Sequence, residues 1–238
     1  MRVHTRSRMS LLPVLWTQEA FERISHREEL LAMLSFGVLL GLALYALTLV
    51  PFQGDRAALY LGLNLIFICL SESSLLGYDH AYLWPERPEW SFQAPPVFGL
   101  RALMSMNRFI VNLIPFDKLG SHKGRRGMEV LLWLQGGMLL AVLLGPAFPV
   151  FLPGISPLMV LSRLAHLGVT LEAVREGFRP ARLMLSSLVL AFIAGMPIFA
   201  ELLGWMPDWR LAPQASMALL SFVCAVLLLP PSASAWTS

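Results

Sequence analysis

Seven apolar runs, each near the length of a bilayer-crossing helix, leave this chain few folds to choose from. They fall at about Leu31–Phe52, Ala57–Leu76, Pro96–Phe116, Met128–Leu144, Ser156–Thr170, Leu183–Leu203 and Leu211–Leu229. A helix needs about 20 mostly apolar residues to cross the hydrocarbon core of a membrane. In lipid, only helices and closed barrels satisfy every backbone polar group. The expected fold is therefore all-α: a polytopic seven-helix transmembrane bundle over residues 31–230, with an N-terminal extension (1–30) and a short tail (231–238). Charged residues make up only 14% of the chain and hydrophobic ones 56%, against about 25% charged in a soluble domain. That surplus has to face lipid.

Net charge is +3, and the two lysines, Lys118 and Lys123, leave arginine to supply the rest of the 18 basic residues. This excess does not argue for nucleic acid, and in a membrane protein the position of each charge matters more than the sum. The first, third and fifth connections hold Arg56, Lys118, Lys123, Arg125, Arg126, Arg175, Arg179 and Arg182. The even connections hold only Arg87 and Arg210. Basic residues stay on the cytoplasmic side, so the odd loops are expected inside, the N-terminus outside and the C-terminus inside. Arg2, Arg6, Arg8, Arg23 and Arg27 pull the other way. The first 16 residues have a basic start and a short apolar run, but Pro13 interrupts that run and no small-x-small cleavage site follows, so the extension is leader-like only in part; a cleaved leader, or a misplaced start codon, would remove part of the conflict.

The stretch Gly77-Tyr-Asp-His-Ala-Tyr-Leu-Trp-Pro-Glu-Arg-Pro-Glu-Trp90 then becomes an extracytoplasmic loop. Its aromatics suit a membrane interface, and Trp84-Pro85 and Arg87-Pro88 are expected to hold extended backbone and end the second helix. Asp79, His80, Trp84, Glu86 and Glu89 are the candidates for sensing a ligand. They lack the spacing of a catalytic site. No HxxxH, ExxH or CxxC pair is present, the five histidines are scattered, and Cys69 and Cys224 sit in apolar runs, so no metal or other cofactor is expected. GxSxG, HExxH and phosphate-cradling glycine motifs are absent as well. The chain is expected not to be an enzyme.

Ionisable residues inside spans are costly and often functional. Glu72, Arg108, Arg163 and His166 are candidates for an intramembrane polar relay, with Glu72 or Glu201 as counter-charges. Arg101 is expected near a span end, free to snorkel. Arg163 and His166, at i and i+3, share a helix face. Gly37 and Gly41 form a GxxxG pair and Gly136-Gly137 open the fourth span. They are expected to pack helices inside the bundle, with a homodimer as the other outcome.

Four stretches together resemble the membrane module of bacterial seven-transmembrane receptors with diverse intracellular signalling modules (7TMR-DISM). They are Phe36-Gly-Val-Leu-Leu-Gly-Leu-Ala-Leu-Tyr45, Asp55-Arg-Ala-Ala-Leu-Tyr-Leu61, Leu76-Gly77 with Tyr82-Leu-Trp-Pro85, and Arg175-Glu-Gly-Phe-Arg-Pro-Ala-Arg182. The resemblance covers about residues 28–230. It implies a sensor in the bacterial cell (inner) membrane that turns an extracytoplasmic cue into a cytoplasmic output. In such receptors the output domain is commonly a diguanylate cyclase, a histidine kinase or a phosphatase. Thirty residues before the first span are too few for a sensory domain, and Pro230–Ser238 resembles no effector. The expectation is a truncated receptor, or a module biasing an effector in trans through Lys123, Arg125, Arg126, Arg175, Arg179 and Arg182. Orientation in the membrane and contact with anionic lipid explain those charges at least as well. The alternative function is a small-molecule transporter. It would need a structural repeat with paired broken helices, and Pro146, Pro149 and Pro153 have no counterpart in the other half.

Overall fold

The computed structural model describes residues 17–53, 56–86, 88–119, 121–144 and 148–202. Residues 1–16, the expected seventh span Leu211–Leu229 and the tail 231–238 lie outside the described residues. The described chain is helical throughout: α1 (Gln18–Gln53), α2 (Arg56–Leu75), a π-helical turn (Asp79–Leu83), α3 (Pro88–Leu113), the short α4 (Phe116–Leu119), α5 (His122–Leu144), α6 (Phe148–Arg175) and α7 (Arg179–Leu202). Four of these include segments long and apolar enough to cross a membrane: Glu29–Pro51, Arg56–Leu75, His122–Leu144 and Pro157–Arg175.

Several boundaries differ from the sequence expectation, each for a local reason. The extension expected before the first span is continuous with it from Gln18. With 36 residues, α1 is about 54 Å long, well beyond the ~30 Å hydrocarbon core. Glu19 in its first turn favours the helix N-terminus, and Gln18 Nε2 donates to Glu22 Oε1 at 3.0 Å. The helix of the third apolar run starts at Pro88 rather than Pro96. Proline is well placed at the first helical position, where no N–H is needed, so Pro88 opens a helix instead of extending a loop. The third connection is not a loop but α4 and the first turns of α5. The fifth shrinks to Glu176-Gly-Phe178.

That last reversal is a Schellman cap. Gly177 N–H donates to Val174 O at 3.1 Å, Phe178 N–H donates to Ala173 O at 3.0 Å, and Gly177 takes φ +84°, a conformation that favours glycine. Gly77, at φ +79°, ends α2 in the same left-handed way.

Neighbouring helices run antiparallel, with α3 at the centre. It packs on α2, α5 and α6, while α1 packs on α2 and α7 on α6. Ala94, Val97, Leu100, Ala102, Leu103, Met106, Phe109 and Ile110 of α3 are all buried. A helix enclosed on most sides is shielded from lipid by its neighbours, which explains how α3 can be more polar than the four spans above. The α1–α2 crossing is close: a Cβ on Gly62 would lie 2.8 Å from Leu47 Cγ and 3.2 Å from Ala43 O. Gly37 and Gly41 do not pack inside the bundle as expected. Both are exposed, with nothing within 4 Å of an added Cβ. The core-facing positions of α1 are Ala32, Phe36, Leu39, Ala43 and Ala46, and the glycines fall between them.

This alternation gathers the last turns of α1, α3 and α6 and the first turns of α2, α5 and α7 at one end of the bundle. Arg56, Lys123, Arg125, Arg126, Arg175, Arg179 and Arg182 are all exposed there. The π-helical turn lies at the other end.

Candidate functional site

At the end opposite the basic one, Asp79 organises the loop. It is fully buried. Its Oδ1 accepts from the His80 N–H at 2.7 Å and its Oδ2 from Trp84 Nε1 at 3.0 Å. The Trp84 N–H in turn donates to the Asp79 carbonyl at 2.9 Å. Three bonds thus close one π-helical turn around a carboxylate. Trp84 stacks on Phe98 (centroids 6.2 Å apart) and meets Trp90 edge-on at 6.4 Å. Tyr78 meets Phe36 edge-on at 5.9 Å and stacks on Tyr82 at 6.4 Å. The aromatics therefore brace the loop against α1 and α3. Among the sensing candidates, Asp79 and Trp84 form this scaffold, whereas His80 and Glu86 are exposed. Glu89 lies in the first turn of α3, and its side chain lies outside the described residues.

Two of the four relay candidates, Glu72 and Arg108, are not brought together. Ser71 Oγ donates to Pro95 O at 3.2 Å, which sets the level of Glu72 beside the early turns of α3. Arg108 lies 13 residues further along α3, roughly 20 Å down its axis, so Glu72 cannot be its counter-charge. The side chain of Glu201 lies outside the described residues. Because α3 starts at Pro88, Arg101 lies at the middle of the helix and not near its end. Its guanidinium stands 5.7 Å from the centre of the Phe67 ring, a cation–π contact.

What the helices do bring together is a seam of uncharged polar groups between α3, α5 and α6. Gln135 Nε2 on α5 donates to Ser162 Oγ on α6 at 3.0 Å, and Ser162 Oγ donates to Leu158 O at 2.6 Å. One turn on, His166 is fully buried. Thr170 Oγ1 donates to the His166 carbonyl at 2.7 Å. On α3, buried Asn107 donates through Nδ2 to Met128 O of α5 at 3.0 Å. Ser162, His166 and Thr170 follow at i, i+4 and i+8, one face of a helix. Of these residues, the sequence reading singled out only His166. The others carry no charge, and their spacing inside apolar runs was the available signal. Arg163 is half-buried beside this face.

At the basic end, Arg125 is tied down by its own chain: Nη1 lies 3.2 Å from Asp117 Oδ1 and Nε 3.4 Å from Glu129 Oε1. Lys123, Arg126, Arg175, Arg179 and Arg182 are exposed. Gly124 lets α5 start close to its neighbours, since a Cβ there would lie 2.7 Å from Ser121 Oγ and 3.3 Å from Glu172 Oε2 of α6. Among the described residues, no three His, Cys, Asp or Glu side chains cluster as a metal site would require.

The family model described as "7TM diverse intracellular signalling" matches residues 28–230 of this chain. The match spans the seven expected runs and takes in both the aromatic loop and the buried seam. No similarity to a curated protein or to a solved structure was found.

Proposed function

Because the chain belongs to the 7TM diverse intracellular signalling family, we propose that it senses an extracytoplasmic cue and biases a cytoplasmic effector. In this reading it lies in the bacterial inner membrane, with seven spans, the N-terminus outside and the C-terminus inside. The effector is a diguanylate cyclase or histidine kinase, acting in trans or as a domain of the same polypeptide.

One observation carries this reading. The fold collects the exposed basic side chains of three connections at one end and sets an aromatic-braced loop at the other. Lys and Arg remain on the cytoplasmic side, so the basic end is the inside surface. Lys123, Arg126, Arg175, Arg179 and Arg182 are there to meet a partner. His80 and Glu86 on the opposite loop, with Glu89 at its edge, would meet the cue. Transmission is a population shift between two packings of the bundle, with Arg163 and His166 in the region that repacks.

Single-cysteine labelling tests the frame. A His80→Cys protein should react with a membrane-impermeant maleimide in intact cells, and a Lys123→Cys protein only after permeabilisation. The reverse pattern would sink the orientation. Loss of effector output in an Arg179→Gln/Arg182→Gln protein that keeps its topology would support the partner surface; unchanged output would remove it.

A further inference from the structure

We propose that the seam between α3, α5 and α6 is a binding site for ordered water, centred on His166 and bridged to Gln135. Three buried polar atoms of this seam have no hydrogen-bond partner among the described residues: His166 Nδ1, His166 Nε2 and Gln135 Oε1. His166 and Gln135 are each fully buried. They come from facing helices, since Gln135 already holds Ser162, one turn before His166, at 3.0 Å. Helix α3 closes the third side. A Cβ on Gly99 would lie 2.9 Å from Met159 Cε of α6, and Asn107 bonds the Met128 carbonyl of α5.

Hydrogen-bond stoichiometry points to water. A neutral imidazole offers one donor and one acceptor, whichever tautomer is present, and an amide oxygen only accepts. Leaving such atoms dry is costly, because the full desolvation of each goes uncompensated. Buried waters commonly make about three hydrogen bonds to polar atoms otherwise unsatisfied. A water donating one proton to Gln135 Oε1 can use its other proton, or a lone pair, for the nearer ring nitrogen. The two ring nitrogens point to different edges of the imidazole, so the far one needs a water of its own. Two waters satisfy all three atoms. The inference concerns the bundle alone, and it stands apart from the proposed orientation and effector.

Radiolytic footprinting of the protein in lipid nanodiscs tests it, because hydroxyl radicals formed from bound water mark the buried side chains touching that water. His166 should be oxidised in the wild-type protein. Met184, equally buried and intrinsically more reactive, should stay unmodified as the dry control. Gln135→Leu removes one anchor of the bridge and should abolish His166 labelling. If that variant fails to insert, Gln135→Met, closer in shape, serves the same arm. An unlabelled His166 in the wild type would overturn the hydration site. Labelling that persists unchanged in the Gln135 variant would overturn the bridge.

Discussion

Gln135 of α5 and Ser162 of α6 share a buried hydrogen bond of 3.0 Å, and its direction decides what a mutation there does. Gln135 is the donor, and Ser162 passes its own proton to Leu158 O at 2.6 Å. Ser162→Ala leaves the Gln135 amide without its acceptor, whereas Gln135→Leu leaves Ser162 still bonded to its own helix. Interhelical bonds in membrane proteins contribute about 0.6 kcal/mol on average, but an orphaned buried polar group costs about 1–3 kcal/mol. Ser162→Ala should therefore destabilise the protein by about 1–3 kcal/mol, and adding Gln135→Leu should not restore it, because that change also removes the water bridge to His166. Unfolding in mixed micelles with increasing denaturing detergent ranks them, and a double variant as stable as the wild type would contradict the account.

A second prediction contrasts two glycines. Gly62 of α2 faces α1 so closely that a Cβ would meet Leu47 Cγ at 2.8 Å and Ala43 O at 3.2 Å. Backbone cannot yield as a side-chain tip can, so Gly62→Ala should cost about 1–3 kcal/mol by overpacking. Gly37 has open space around it, and Gly37→Ala should be neutral or stabilising by up to about 1 kcal/mol through helix propensity. The same pair separates bundle packing from dimerisation. Gly37→Ile should leave the melting temperature of the monomer near that of the wild type. If Gly37 and Gly41 instead mediate a dimer, cross-linking in native membranes should be lost in that variant.

These two cases show what the sequence made legible. The apolar runs were readable because a surface meeting lipid must be apolar along its whole length, and a run of about 20 residues has few other uses. The basic bias among the connections was readable for a similarly local reason. Partners across helices were not. Gln135 and Ser162 are 27 residues apart, and nothing local to either names the other. The side on which a glycine falls was also hidden. Gly37 and Gly41 form a packing motif, but their rotation relative to Ala32, Leu39 and Ala43 decides that they face outward. The loop after α2 was half legible: its prolines and glycine marked a break between two helices, while the inward turn of Asp79 depends on the π-helical geometry.

A third prediction concerns that loop. Asp79 needs two acceptor oxygens, one for the His80 N–H and one for Trp84 Nε1. Asparagine has the same shape but offers one acceptor and a donor amide, which would oppose one of the two N–H groups. Asp79→Asn should therefore loosen the turn nearly as much as Asp79→Ala, despite being isosteric. Trp84→Phe keeps the ring beside Trp90 and Phe98 but removes the N–H, and it should weaken the turn by about 1–3 kcal/mol. Hydrogen exchange of the amides of His80 and Trp84 reads both effects. Unaltered protection in Asp79→Asn would show that the carboxylate is not what closes the turn.

The tight reversal between α6 and α7 gives the last prediction. Gly177 sits at φ +84° as the left-handed residue of a Schellman cap, between the Val174 and Ala173 carbonyls that its own N–H and that of Phe178 satisfy. A side chain in that conformation costs about 1–2 kcal/mol, so Gly177→Ala should destabilise by that amount. Gly177→Asn should cost less, because asparagine enters the left-handed region more readily than other residues. Ala173, Ala181 and Met184 on either side of the turn are buried in one apolar cluster, with Phe178 packed against it. Their packing keeps the helices in place, so the loss should appear as fraying of the reversal and not as global unfolding. Proteolysis at 175–179, in a protein whose far-ultraviolet circular dichroism is unchanged, would register it. Equal melting and cleavage for Gly177→Ala, Gly177→Asn and the wild type would show that the backbone relaxes out of the left-handed conformation at no cost.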